Sequence, residues 1–156
     1  MMENINEIKF SEEESSLYVF LQEAQLFLNK KKWCQKIEGG FLGLWVEGIL
    51  AVFKFSIVPV SDDIDKELWV IVGDIPPAYL VTDYASDSIS ALKVYVEEMH
   101  LWVDAVLNGK SIEKIIPVNV STTKDNAIKL KKRLDFIVNK IIPMYSECKD
   151  NIHEME

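Results

Sequence analysis

A chain of 156 residues, 49% hydrophobic and 27% charged, has the material for one domain with a real core and is far from the composition of disordered chains. Seventeen Lys and Arg against 25 Asp and Glu leave a formal net charge of −8. That balance argues against a nucleic-acid partner, because counterion release from a phosphate backbone needs clustered cations, and it favours a basic protein partner.

The opening residues, Met1 to Phe10, carry Glu3 and Glu7 and no apolar stretch, so they read as a polar lead-in rather than a secretion signal. Ser11 and Glu14 have the spacing of a capping box at the head of a helix expected over residues 12–32. Leu17, Phe20, Leu21, Ala24 and Leu28 recur on its apolar face, and Lys30, Lys31 and Lys32 suit its C-terminal end. Gly39-Gly40 then punctuates the chain ahead of Phe41 to Trp45, a short strand or an irregular core segment because it holds Gly43. Ile49 to Val60 is a stronger strand, Ser61 to Lys66 a polar turn, and Leu68 to Val72 the returning strand of an antiparallel hairpin. Phe41 to Val60 has the length of a membrane span, yet Glu47 and Lys54 lie within it and Gly43 and Gly48 interrupt it, so buried strands are expected there.

Gly73-Asp74-Ile75-Pro76-Pro77 separates that strand from another short one over Tyr79 to Thr82. Ser86, Asp87 or Ser88 caps a second helix, whose face runs Ile89, Leu92, Val96, Met99, Val103 and Val106 and which Asn108-Gly109 stops. After an apolar connector across Pro117, Thr122 or Thr123 caps a third helix with Ala127, Leu130, Leu134, Ile137 and Ile141 inward, ended by Pro143. The order predicts one α+β domain over residues 1–156, a mostly antiparallel three- to four-stranded sheet packed by three amphipathic helices on one face. Residues 1–10 and 146–156 are expected to be loosely ordered.

Catalytic chemistry finds little footing. Cys34 and Cys148 have no CxxC spacing and read as two reduced thiols. His100 and His153 have no nucleophile motif around them. His100 and Asp104 are one turn apart but make only two ligands, and the adjacent Glu97 and Glu98 point different ways. Asp62, Asp63 and Asp65 echo a calcium loop without its Gly and terminal Glu, and Gly39, Gly40 and Gly43 lack the Lys-Ser/Thr of a phosphate loop. Lys129, Lys131, Lys132 and Arg133 read as the solvent face of a helix. No cofactor or metal is expected. Asp74 stands at a strand end, where working residues often sit, but Gly73, Asp74, Pro76 and Pro77 read first as a structural turn.

The pattern Trp69-x-Ile71-x-Gly73-Asp74-x-Pro76-x-x-Tyr79, with Pro117-Val118-Asn119 before the last helix, resembles one found in small uncharacterised bacterial proteins. The likeness covers about half the chain, from Trp69 to Ile142, and implies a fold rather than a chemistry. By type, not by motif, the small acidic chain also resembles the immunity proteins of contact-dependent growth inhibition. Such a likeness implies a non-catalytic cytoplasmic protein that neutralises a basic, nuclease-like toxin by occlusion; a structural subunit that homodimerises through surplus apolar helix faces is a separate expectation. Asp62, Asp63, Asp65, Asp83 and Asp87 are the candidate contacts, with Tyr84 as aromatic anchor. The competing expectation is a small hydrolase or ligand-binding domain built on Asp74, with Glu47 or Asp83 beside it.

Overall fold

Alternation along residues 50–59 organises the sheet. Ala51, Phe53, Phe55 and Ile57 share one core with Leu68, Val70 and Val72 and with the helical residues Leu17, Phe20, Leu21, Ala24 and Leu28. Period-two geometry sends Leu50, Val52, Trp69 and Ile71 to the opposite face, and these are fully buried too. The computed structural model describes residues 3–7 and 16–146, in two compact units, Met1–Ala91 and Leu92–Glu156.

The first unit holds β1 (Glu3–Asn4), α1 (Ser16–Asn29), β2 (Cys34–Val46), β3 (Leu50–Pro59), β4 (Glu67–Gly73) and β5 (Ala78–Val81). The strands lie side by side in chain order and every neighbouring pair is antiparallel. With α2 (Ser88–Leu107) and α3 (Lys124–Phe136) this is the expected α+β class, with five strands where three or four were expected. Segment 85–88 crosses the face opposite α1: the Trp69 indole N–H donates to the Ala85 carbonyl at 2.9 Å, and the Ser88 hydroxyl to the Gly43 carbonyl at 3.2 Å.

Two differences arise in β2. It runs straight through Gly39-Gly40 instead of starting after them. The glycine at position 40 serves close packing rather than a break, since an added Cβ would meet the Phe55 ring at 2.7 Å. Register shifts at Cys34/Lys36, Ile37/Gly39 and Leu42/Leu44 let the long strand bend. β1 falls in the polar lead-in and pairs with Phe41 and Leu42, a long-range contact that a local pattern does not announce. Among the described residues α1 begins at Ser16 and stops at Asn29, so Lys30 to Lys32 lie beyond it. The capping box at Ser11 and Glu14, Cys148, His153 and the chain after Ser146 fall outside the described residues.

In the second unit, Leu92, Val96, Met99 and Val103 are buried as expected, joined by Tyr95 and Trp102. Gly109, at φ 66°, closes α2: its N–H bonds the Val106 carbonyl, and that of Lys110 the Ala105 carbonyl. Thr123 caps α3 by accepting from the Asn126 N–H at 3.2 Å. Pro143 does not end this helix. The run passes into a π turn over Ile137–Ile141, where the Ile142 N–H bonds the Ile137 carbonyl, and continues helical to residue 146. A wider turn just ahead of a proline eases the clash its ring makes with the preceding turn.

Candidate functional site

β-register decides which candidate residues meet. Leu68 lies opposite Val81 and Cys34 opposite Pro59, so the 61–66 loop, the Thr82–Tyr84 3-10 turn and the Lys30–Lys32 turn share one end of the sheet. The loop is held by backbone bonds: Ile57 N–H to the Lys66 carbonyl at 2.8 Å, and Val60 N–H to the Trp33 carbonyl at 3.0 Å. Asp62, Asp63, Asp65 and Asp83 are exposed there, and none forms an ion pair with a described residue. Tyr84 beside them is 71% exposed, the most exposed of the large hydrophobic side chains among the described residues. Asp87 has other work: its Oδ1 accepts from the Ser90 N–H at 2.8 Å, capping α2. The Lys30–Lys32 turn crosses this end from α1, which reaches over Tyr79 of β5, to the start of β2, and the exposed Lys66 closes the loop itself. Lys31 turns toward α1, its Nζ 4.4 Å from the Phe27 ring centroid and 5.8 Å from that of Tyr79.

The opposite end is bound together. Gly73 adopts φ 139°, and an added Cβ would lie 2.3 Å from the Ile49 carbonyl oxygen, so the turn requires glycine. The Asp74 N–H donates to that same carbonyl at 2.9 Å. The Ser16 hydroxyl accepts from the Gly48 N–H at 2.9 Å and from the Trp45 indole at 3.2 Å. Glu47 accepts from the Ser16 N–H at 3.1 Å, placing its negative charge at the positive end of α1. Leu68 and Gly73 are five residues apart on β4, roughly 17 Å at strand rise, so Asp83 stands at the far end from Asp74. Only Glu47 shares the Asp74 end, and its carboxylate serves the helix.

Among the described residues no group of three or more His, Cys, Asp or Glu side chains is placed to hold a metal ion. Cys34 is a buried free thiol, and burial pushes its pKa up, away from the reactive thiolate. Burial also raises Glu23 on α1 and pushes the Tyr95 hydroxyl far above its ordinary range. One feature escaped the reading of the sequence: an open groove of about 430 Å³ between α1 and β2, lined in part by Gln25, Asn29, Lys36 and Glu38. Its signal was present in the polar–apolar alternation of Lys36-Ile37-Glu38, obscured by the glycines that follow.

Among the described residues no helix is long and apolar enough to cross a membrane. Compared with known proteins, the chain matches no family model, no curated protein sequence and no solved structure.

Proposed function

We propose that the chain is a non-catalytic interaction protein that binds a basic protein through the exposed aspartates at one end of its sheet. In this reading it is a cytoplasmic immunity protein that covers the cationic site of a nuclease-like toxin. The observation that carries the reading is the gathering at one sheet end of an exposed tyrosine and four exposed carboxylates that form no ion pair with a described residue. Asp62, Asp63, Asp65 and Asp83 attract Lys and Arg around the toxin's site and raise the association rate, while Tyr84 supplies a large rigid surface for a central contact. Lys66 and the Lys30–Lys32 turn share this end, so the attraction is local to the aspartates, while the unit as a whole is acidic. Residues 1–91 carry 15 carboxylates and seven lysines, residues 92–156 ten acidic and ten basic side chains, so the whole excess of −8 belongs to the first unit.

Asp87 is reassigned within this proposal from contact to cap, since its carboxylate already serves α2. The test is capture from the native host, with wild-type protein and the triple variant D62K/D63K/D65K as parallel baits, followed by inspection of the neighbouring open reading frame. Wild type is expected to retain a basic protein that the triple variant loses. Equal retention by both baits would remove these aspartates from the account.

A further inference from the structure

β1 covers little of the outer edge of β2. It pairs with Phe41 and Leu42, and its line ends where the Ile5 N–H bonds the Gly40 carbonyl at 3.0 Å. Among the described residues no strand pairs with the outer side of residues 35–39. The groove between α1 and β2 runs along this stretch, lined by Asn6, Gln25, Asn29, Lys36, Ile37 and Glu38, and an added Cβ at Gly39 would meet nothing within 4 Å. An open strand edge beside a groove is the geometry that recruits another extended segment, through unpaired N–H and C=O groups.

Two features make this edge selective. Register shifts at Cys34/Lys36 and Ile37/Gly39 twist it, which discourages indiscriminate pairing. Lys36 and Glu38, both exposed, add opposite charges two residues apart. We propose that this edge pairs antiparallel with the same edge of a second copy of the chain, about a two-fold axis at Ile37. Lys36 then falls opposite Glu38 of the second copy, and Glu38 opposite its Lys36. Opposite charges directly across a strand pair are favourable and like charges unfavourable, so the edge matches itself in this register. A uniformly charged peptide would satisfy one of the two side chains and repel the other. Each β1 lies beside Phe41 and Leu42, with Ile5 at Gly40 bounding the paired window, and the interface is isologous, as expected for a two-fold dimer.

Sedimentation of the full chain over a wide concentration range tests the pairing. Wild type self-associates. Lys36→Glu and Glu38→Lys alone each set like charges opposite one another twice, weakening the dimer by roughly ten- to a hundredfold. The double exchange K36E/E38K restores it. An equimolar mixture of the two single variants forms a heterodimer tighter than either homodimer, because the reversed charges again complement one another. Thermal melts of the separate variants verify that both are folded. A wild-type chain that stays monomeric throughout, a dimer indifferent to the single reversals, or a mixture no tighter than its components would each overturn the proposal.

Discussion

Glu47 and Asp74 stand at one end of the sheet and Asp62, Asp63, Asp65 and Asp83 at the other, and the two sets have different surroundings. At the first end the start of α1, the β2–β3 turn and the β4–β5 turn converge. Their orphan amides are taken up by the Ser16 hydroxyl, the Glu47 carboxylate and the Ile49 carbonyl. At the second end the backbone closes on itself through Ile57–Lys66 and Val60–Trp33, so its acidic side chains are left over for solvent or a partner. The same residue type is architecture where backbone groups lack partners and available surface where they do not. Charge alone does not separate these roles; the hydrogen-bond inventory does.

Substitutions at the two ends should therefore separate stability from binding. The largest effect is expected at Gly73→Ala, where a Cβ would press on the Ile49 carbonyl at a φ that alanine disfavours; a loss of roughly 2–4 kcal/mol is expected from the denaturant midpoint. A loss below about 1 kcal/mol would mean that the turn relaxes easily. Tyr84→Ala should leave stability within about 0.5 kcal/mol yet weaken partner binding by about 2 kcal/mol, read by calorimetric titration. The reverse outcome, lost stability with binding intact, would move Tyr84 to the structural side. Ser16→Ala removes the hydroxyl that accepts from the Gly48 amide and the Trp45 indole and should cost about 1 kcal/mol with no change in binding.

Glu23 gives the smallest and most specific effect. Burial holds its folded-state pKa above the ordinary 4.5, so its ionised form opposes folding. The cost is fully present above the folded pKa and fades as pH falls through it toward 4.5 and below. Glu23→Gln should accordingly stabilise slightly at pH 7 and bring no gain at pH 4, as compared by thermal melts. A gain independent of pH would point to packing instead.

Much of this fold was legible. β-branched and aromatic runs located β3 and β4, Gly73 through Pro77 marked the turn before β5, and Asp87, Gly109 and Thr123 bounded the helices as their capping chemistry requires. The failures share a cause. Gly40 looked like punctuation because a local pattern does not show that Phe55 will lie against it, and β1 is too short to have a pattern of its own. Pro143 looked like a stop because the π turn that absorbs it depends on geometry rather than composition. At the candidate site, the acidic residues were visible one by one. Their meeting at a single end came from the Leu68–Val81 register, and the separation of Asp83 from Asp74 followed from the same pairing. Asp87 is readable in the sequence both as a cap and as a contact, and the Ser90 amide shows the capping role.

The most direct test is the association rate between the chain and its purified basic partner, measured at low and at physiological salt for wild type and D62K/D63K/D65K. Wild type should associate quickly at low salt and slow steeply as salt rises, whereas the triple variant should be on the order of tenfold slower at low salt with a flattened salt dependence. Equal rates and equal salt slopes for the two proteins would contradict the claim that this end of the sheet receives the partner.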